Sequence, residues 1–225
     1  MHKNQNLLSE PAGQILDFPG ENPVVSGCTV SKQVYNRDND ALFVFSMAPR
    51  TEISPESYSY FKLCLVYEGS MEVFCLTDQQ WNVQKGQAIL LPKDTPVGMK
   101  TMDGCIYLEI AMRKESEMNE LIQSGKVFEL GALLPYQEGK IVNMDLCHNE
   151  KMKFALMSFD AGTGLSEHAA PGEALVLALD GEGIIGYEGK EYPIKAGETF
   201  KFDKNGRHSV TAVKQFKMAL LLVLE

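Results

Sequence analysis

The chain has 225 residues, 44% of them hydrophobic, and a formal net charge of −9. That length accommodates one large core or two of about 100 residues each, and the composition is that of an ordinary globular protein. The acidic balance, with no basic run against it, argues against nucleic acid and an anionic membrane surface as principal partners.

From the N-terminus, residues 1–17 are polar with short apolar pieces and lack a signal-peptide core. Short β-like runs then follow at 42–48 (ALFVFSM), 63–68, 71–76, 87–91 and 105–111. Residues 113–125 (RKESEMNELIQSG) carry charged and apolar residues at helical spacing and end in glycine, which predicts a short connecting helix, the alternative being a charged surface loop. Strand-like runs resume at 153–159, 174–180, 183–187, 191–194, 198–202 and 216–224. Glu188-Gly189 and Asn205-Gly206 are turn signals between them. The longest apolar stretch, Met218 to Leu224, is too short to span a bilayer. Five scattered cysteines without a C-x-x-C pair read as buried reduced thiols. A cytoplasmic location is expected.

The two halves repeat. Met47 to Gly69 and Phe159 to Gly181 each span 22 residues, and Gly86 in "VQKGQAILLPKDTP" falls opposite Gly197 in "IKAGETFKFDKNGR". Turn glycines and strands recurring in one order indicate a duplicated all-β unit. The expected division is a first barrel over 1–112, a linker with its helix over 113–133, and a second barrel over 134–225.

The stretches "GLSEHAAPGEALVLALDGEG" (164–183) and "YEGKEYPIKAGETFKFDKNGRHSV" (187–210) resemble the two motifs of the cupin superfamily. Those motifs have the forms G-x5-H-x-H-x3,4-E-x6-G and G-x5-P-x-G-x2-H-x3-N. The resemblance implies two tandem RmlC-like jelly-roll barrels, the second a type-2-like cupin with a degenerate metal motif. Gly181 and Gly197 match the turn glycines, and His168 and His208 match one histidine in each motif. Ala170 stands where a second histidine belongs, and Asp203 replaces the usual proline. The glutamate slot falls on Ala174, one residue after Glu173. In an unbroken strand Glu173 faces away from His168, Ala170 and Ala174; only a bulge at Pro171-Gly172 swings it back.

The resemblance therefore leaves two readings of the second barrel. Either His168, His208 and Glu173 hold a divalent transition metal (Fe, Mn, Ni, Cu or Zn), or the histidines line an organic pocket with Ala170, Ala174, Val176, Ala178, Phe200 and Phe202. The first copy places Glu56 opposite His168, Tyr58 opposite Ala170, Lys62 opposite Ala174 and Val97 opposite His208, so it has no imidazole ligand. Its Glu56 and Tyr58 read as solvated strand-end residues or as pocket lining. His2 and His148 read as surface residues.

The expected function is binding of a small molecule, as a monomer or homodimer. The alternatives are a metal-dependent isomerase, decarboxylase or dioxygenase acting on a small polar or sugar-acid substrate, and a structural dimerisation module.

Overall fold

The computed structural model describes residues 7–38, 40–113 and 115–224. It divides into two compact units, each an antiparallel jelly-roll barrel. The first comprises Phe18–Ser116 with Glu120–Leu130; the second takes the described residues up to Asp17, Glu117–Asn119, and the chain from Gly131 onward.

Each barrel is organised by one long bent strand. In the first, Phe61–Cys75 pairs with Gln87–Leu90 and Cys105–Met112 through its first half, and with Gln80–Gln84 and Val97–Thr101 through its second. In the second, Glu173–Tyr187 pairs with Thr199–Phe202, Lys190–Lys195 and Arg207–Val223. The sequence predicts two strands in place of each of these, because a glycine interrupts the apolar run. The backbone instead bulges and continues. Gly69 and Gly181 have φ values of +71° and +73°, and a Cβ on either would lie 2.0 Å from the Gly104 carbonyl oxygen or 1.8 Å from that of Gln215. Only glycine permits that approach, which is why both copies keep one there. The Glu188-Gly189 turn is the expected tight hairpin, with Tyr187 paired to Lys190 and φ of 48° and 77° at its two central residues.

Strand alternation fills the interiors. Met47, Cys64, Val66, Ile89, Leu91 and Tyr107 belong to the first core, and Phe159, Ala174, Val176, Phe200, Phe202 and Phe216 to the second. Four of the five cysteines are buried; Cys28 is exposed. Among the described residues no helix is long and apolar enough to cross a membrane.

Two sequence expectations are corrected. Residues 113–125 do not form the connecting helix: Glu117–Met118 pairs with Cys147–His148, and Ser124 bridges to Leu90. The backbone hydrogen bonds of this segment go to two sheets, and the helical pattern yields to those pairings. The N-terminal arm, expected with the first barrel, belongs to the second unit. Its Ile15–Leu16 pairs with Thr199–Phe200, and Leu8 and Leu16 are fully buried.

Candidate ligand site

In the second barrel, Gly164–Ala169 runs against Arg207–Val223 with His168 directly opposite His208. The two rings lie 4.3 Å apart, tilted by 54°, and Phe202 stacks on His208 at 4.0 Å. Each Nδ1 sits 2.9 Å from the carbonyl oxygen two residues earlier, Ser166 for His168 and Gly206 for His208. A carbonyl only accepts, so each Nδ1 carries a proton, and in the neutral ring Nε2 presents its lone pair. His208 is buried, and burial lowers its pKa against the opposing effect of the Gly206 carbonyl. Its neutral form is favoured.

Glu173 does not join them. It occupies the opposite face of its strand from Ala174, as unbroken alternation requires, and no bulge at Pro171-Gly172 returns it. Its carboxylate binds the fully buried Lys201 at 2.8 Å and accepts hydrogen bonds from the Leu7 and Leu8 amides at 2.6 and 3.1 Å. Lys201 also bonds the Leu8 carbonyl. The pair clips the N-terminal arm to the outer face of the barrel. Glu173, expected beside the histidines as a metal ligand, is held here by Lys201 and the arm instead.

The two imidazoles alone supply too few donors for a resident transition metal, since such sites have three or four protein ligands. Among the described residues no group of three His, Cys, Asp or Glu side chains is assembled. The carboxylate nearest in sequence to His168, Glu167, instead binds the Arg207 guanidinium. The proposed pocket residues divide likewise. Ala174, Val176, Ala178, Phe200 and Phe202 are buried members of the packed core, and Ala170 is half-buried beside the histidines. His148 ends a strand at the surface, 3.4 Å from Glu117, and His2 lies outside the described residues.

The first barrel has corresponding positions in its own strand pairings. Glu56 pairs with Val97 as His168 pairs with His208. Tyr58 donates its hydroxyl to Glu56, and burial together with that bond pushes its pKa up to about 12. At the position of Ala174, Lys62 turns inward. Its ammonium lies 2.9 Å from Glu109 and 3.6 Å from the centre of the Tyr58 ring. Burial opposes the charge on Lys62, but Glu109 outweighs it and raises the pKa. A cavity of about 330 Å³ opens here, lined by Phe43, Phe45, Tyr58, Tyr60, Lys62 and Glu109, among others. Sequence reasoning passed over Glu109. The available signal was a charged residue at interior parity inside an apolar run, "CIYLEIA".

Comparison with known proteins places the fold. A Cupin domain family model matches residues 155–224. The oxalate-binding protein of Thermotoga maritima is 29% identical over 85 residues, covering 37% of this chain and 70% of that protein. A Cupin 2 conserved barrel domain protein from Leptotrichia buccalis superimposes with a TM-score of 0.85 at 27% identity, over 96% of this chain and 99% of that one. A salicylate 1,2-dioxygenase from Pseudoaminobacter salicylatoxidans shares the fold at a TM-score of 0.61 and 12% identity, over 82% of this chain and 70% of that one.

Proposed function

We propose, from the premise that this chain belongs to the cupin superfamily, that it binds a small polar molecule at the mouth of its second barrel without a resident metal. One observation carries the reading: His168 and His208 face each other with both Nδ1 atoms committed to carbonyls, and among the described residues no third His, Cys, Asp or Glu side chain completes a cluster with them. Two Nε2 lone pairs converging from neighbouring strands accept hydrogen bonds from the hydroxyls of a ligand, such as a hydroxy acid. The stacked Phe202 holds the His208 ring in orientation. The oxalate-binding relative supports a small polar ligand.

The metal-dependent isomerase, decarboxylase or dioxygenase requires a third ligand, and the one carboxylate the sequence offered for it is tied to Lys201. Metal content by ICP-MS, on wild type beside His168→Ala and His208→Ala, tests the choice. We expect substoichiometric metal in all three, and stabilisation by hydroxy acids in a thermal-shift screen that is lost in both variants. One equivalent of a transition metal, lost in both variants, would overturn the reading in favour of a metalloenzyme.

A further inference from the structure

The cavity of the first barrel has a chemistry of its own, unrelated to imidazole. Its walls are four aromatic rings, Phe43, Phe45, Tyr58 and Tyr60, and its polar groups are concentrated where Lys62 meets Glu109. Both side chains are largely withdrawn from water, with side-chain exposures of 11% and 6%. A buried ion pair does little for stability compared with well-packed apolar residues, so retaining one in a barrel core calls for another role. The second barrel shows that the fold does without it: the same two interior positions are Ala174 and Leu220 there.

The pair presents a donor beside an acceptor. Lys62 gives one N–H to Glu109 Oε1 and lies over the Tyr58 ring, which leaves further N–H capacity. Glu109 takes the ammonium through Oε1, so Oε2 keeps its lone pairs for a second donor. Two residues before Glu109, on the same face of its strand, Tyr107 is fully buried and stacked 5.0 Å from Phe45, a wall residue. Among the described residues the Tyr107 hydroxyl has no hydrogen-bond partner. An orphaned buried hydroxyl costs stability unless something meets it.

We infer that this cavity is a second binding site, independent of the histidine pair, for a small neutral aromatic alcohol of the phenol class. The ring lies among the four aromatic walls, and the phenolic oxygen accepts from Lys62 while its proton goes to Glu109 Oε2. The formal charges of Lys62 and Glu109 cancel, so the site favours a neutral ligand; a carboxylate drawn to the ammonium also meets the Glu109 anion. The cavity volume of about 330 Å³ sits at the small end of ligand sites and suits a monocyclic compound.

The test is titration of the full chain with phenol, anisole and benzoate, followed by ligand-observed NMR and calorimetry. Phenol is expected to bind saturably in the millimolar range. Anisole, which has no proton for Glu109, and benzoate, which carries a charge, are each expected to bind at least about tenfold more weakly. Two variants probe the cavity, one of them at Ala111, a lining residue paired with Lys62 and equivalent to Leu222 of the second barrel. Ala111→Leu fills the cavity without touching a polar group, and the paired substitution Lys62→Met with Glu109→Leu removes the polar edge and leaves no unpaired charge. Both are expected to lose at least about tenfold in phenol affinity, while His168→Ala retains it. Phenol that fails to saturate wild type, anisole or benzoate binding as well as phenol, or wild-type affinity in a folded Ala111→Leu protein would each overturn the assignment. Loss of phenol binding in His168→Ala would also overturn it, by tying the site to the second barrel.

Discussion

Both barrels bury a lysine–carboxylate pair, but they bury it on opposite sides of the wall. In the first, Lys62 and Glu109 face inward and border a cavity. In the second, Glu173 and Lys201 face outward beneath the N-terminal arm, and the interior is closed by Phe200 and Phe202, where the first barrel has Ile89 and Leu91. A shift of one residue along a strand changes a cavity-facing charge into an arm-anchoring one, because consecutive side chains in a strand point to opposite faces. The comparison teaches that parity, more than residue type, decides what a buried charge in a duplicated barrel does.

The largest effect is expected from breaking the outer pair. Lys201→Met leaves Glu173 buried without its cation and is expected to cost about 3–5 kcal/mol, read by urea unfolding. Lys62→Met, whose orphaned Glu109 borders a cavity that admits water, is expected to cost less, about 2–3 kcal/mol. Equal losses would show that the two pairs do the same work.

A smaller change is expected from Phe202→Leu, which gives the second barrel the size of side chain found at Leu91. Loss of buried area and of the stack on His208 is expected to cost about 1–2 kcal/mol in the same assay. A neutral result would mean that this interior repacks freely.

The smallest effect is a pH slope. Burial depresses the folded pKa of His208 below 6.5, so the unfolded chain takes up a proton there before the folded protein does. The stability that follows is fully present above the unfolded value and is lost as pH falls from about 6.5 through the depressed folded value. His208→Val, which copies Val97 of the first barrel, is expected to flatten that loss between about pH 7 and 5 in a series of thermal melts. An unchanged slope would assign the acid sensitivity to other groups.

The fold was legible because its signals are periodic. The recurring glycines opposite each other at 69 and 181 mark the place where each long strand bends, and the apolar runs mark the interior faces. The convergence of His168 and His208 was legible too, through the spacing of the motifs. Glu173 was harder, since its fate depended on whether Pro171-Gly172 bulged, and no local pattern decides that. Lys201 and Glu109 were hidden because each pairs with a residue distant in sequence, and a lone charge in an apolar run looks like a surface residue. The linker misled because helical spacing is a local property, whereas its hydrogen bonds are made with remote sheets.

The clip between Glu173, Lys201 and the arm joins residues separated by 193 positions. On a translating ribosome, Leu8 is made 193 residues before its partner Lys201, in the strand Thr199–Phe202. The first barrel, whose pairings close within residues 29–129, can complete its sheet while that strand is still unmade. The arm, with the apolar side chains of Leu8 and Leu16 uncovered until then, gains its docking place only once Thr199–Phe202 has been made.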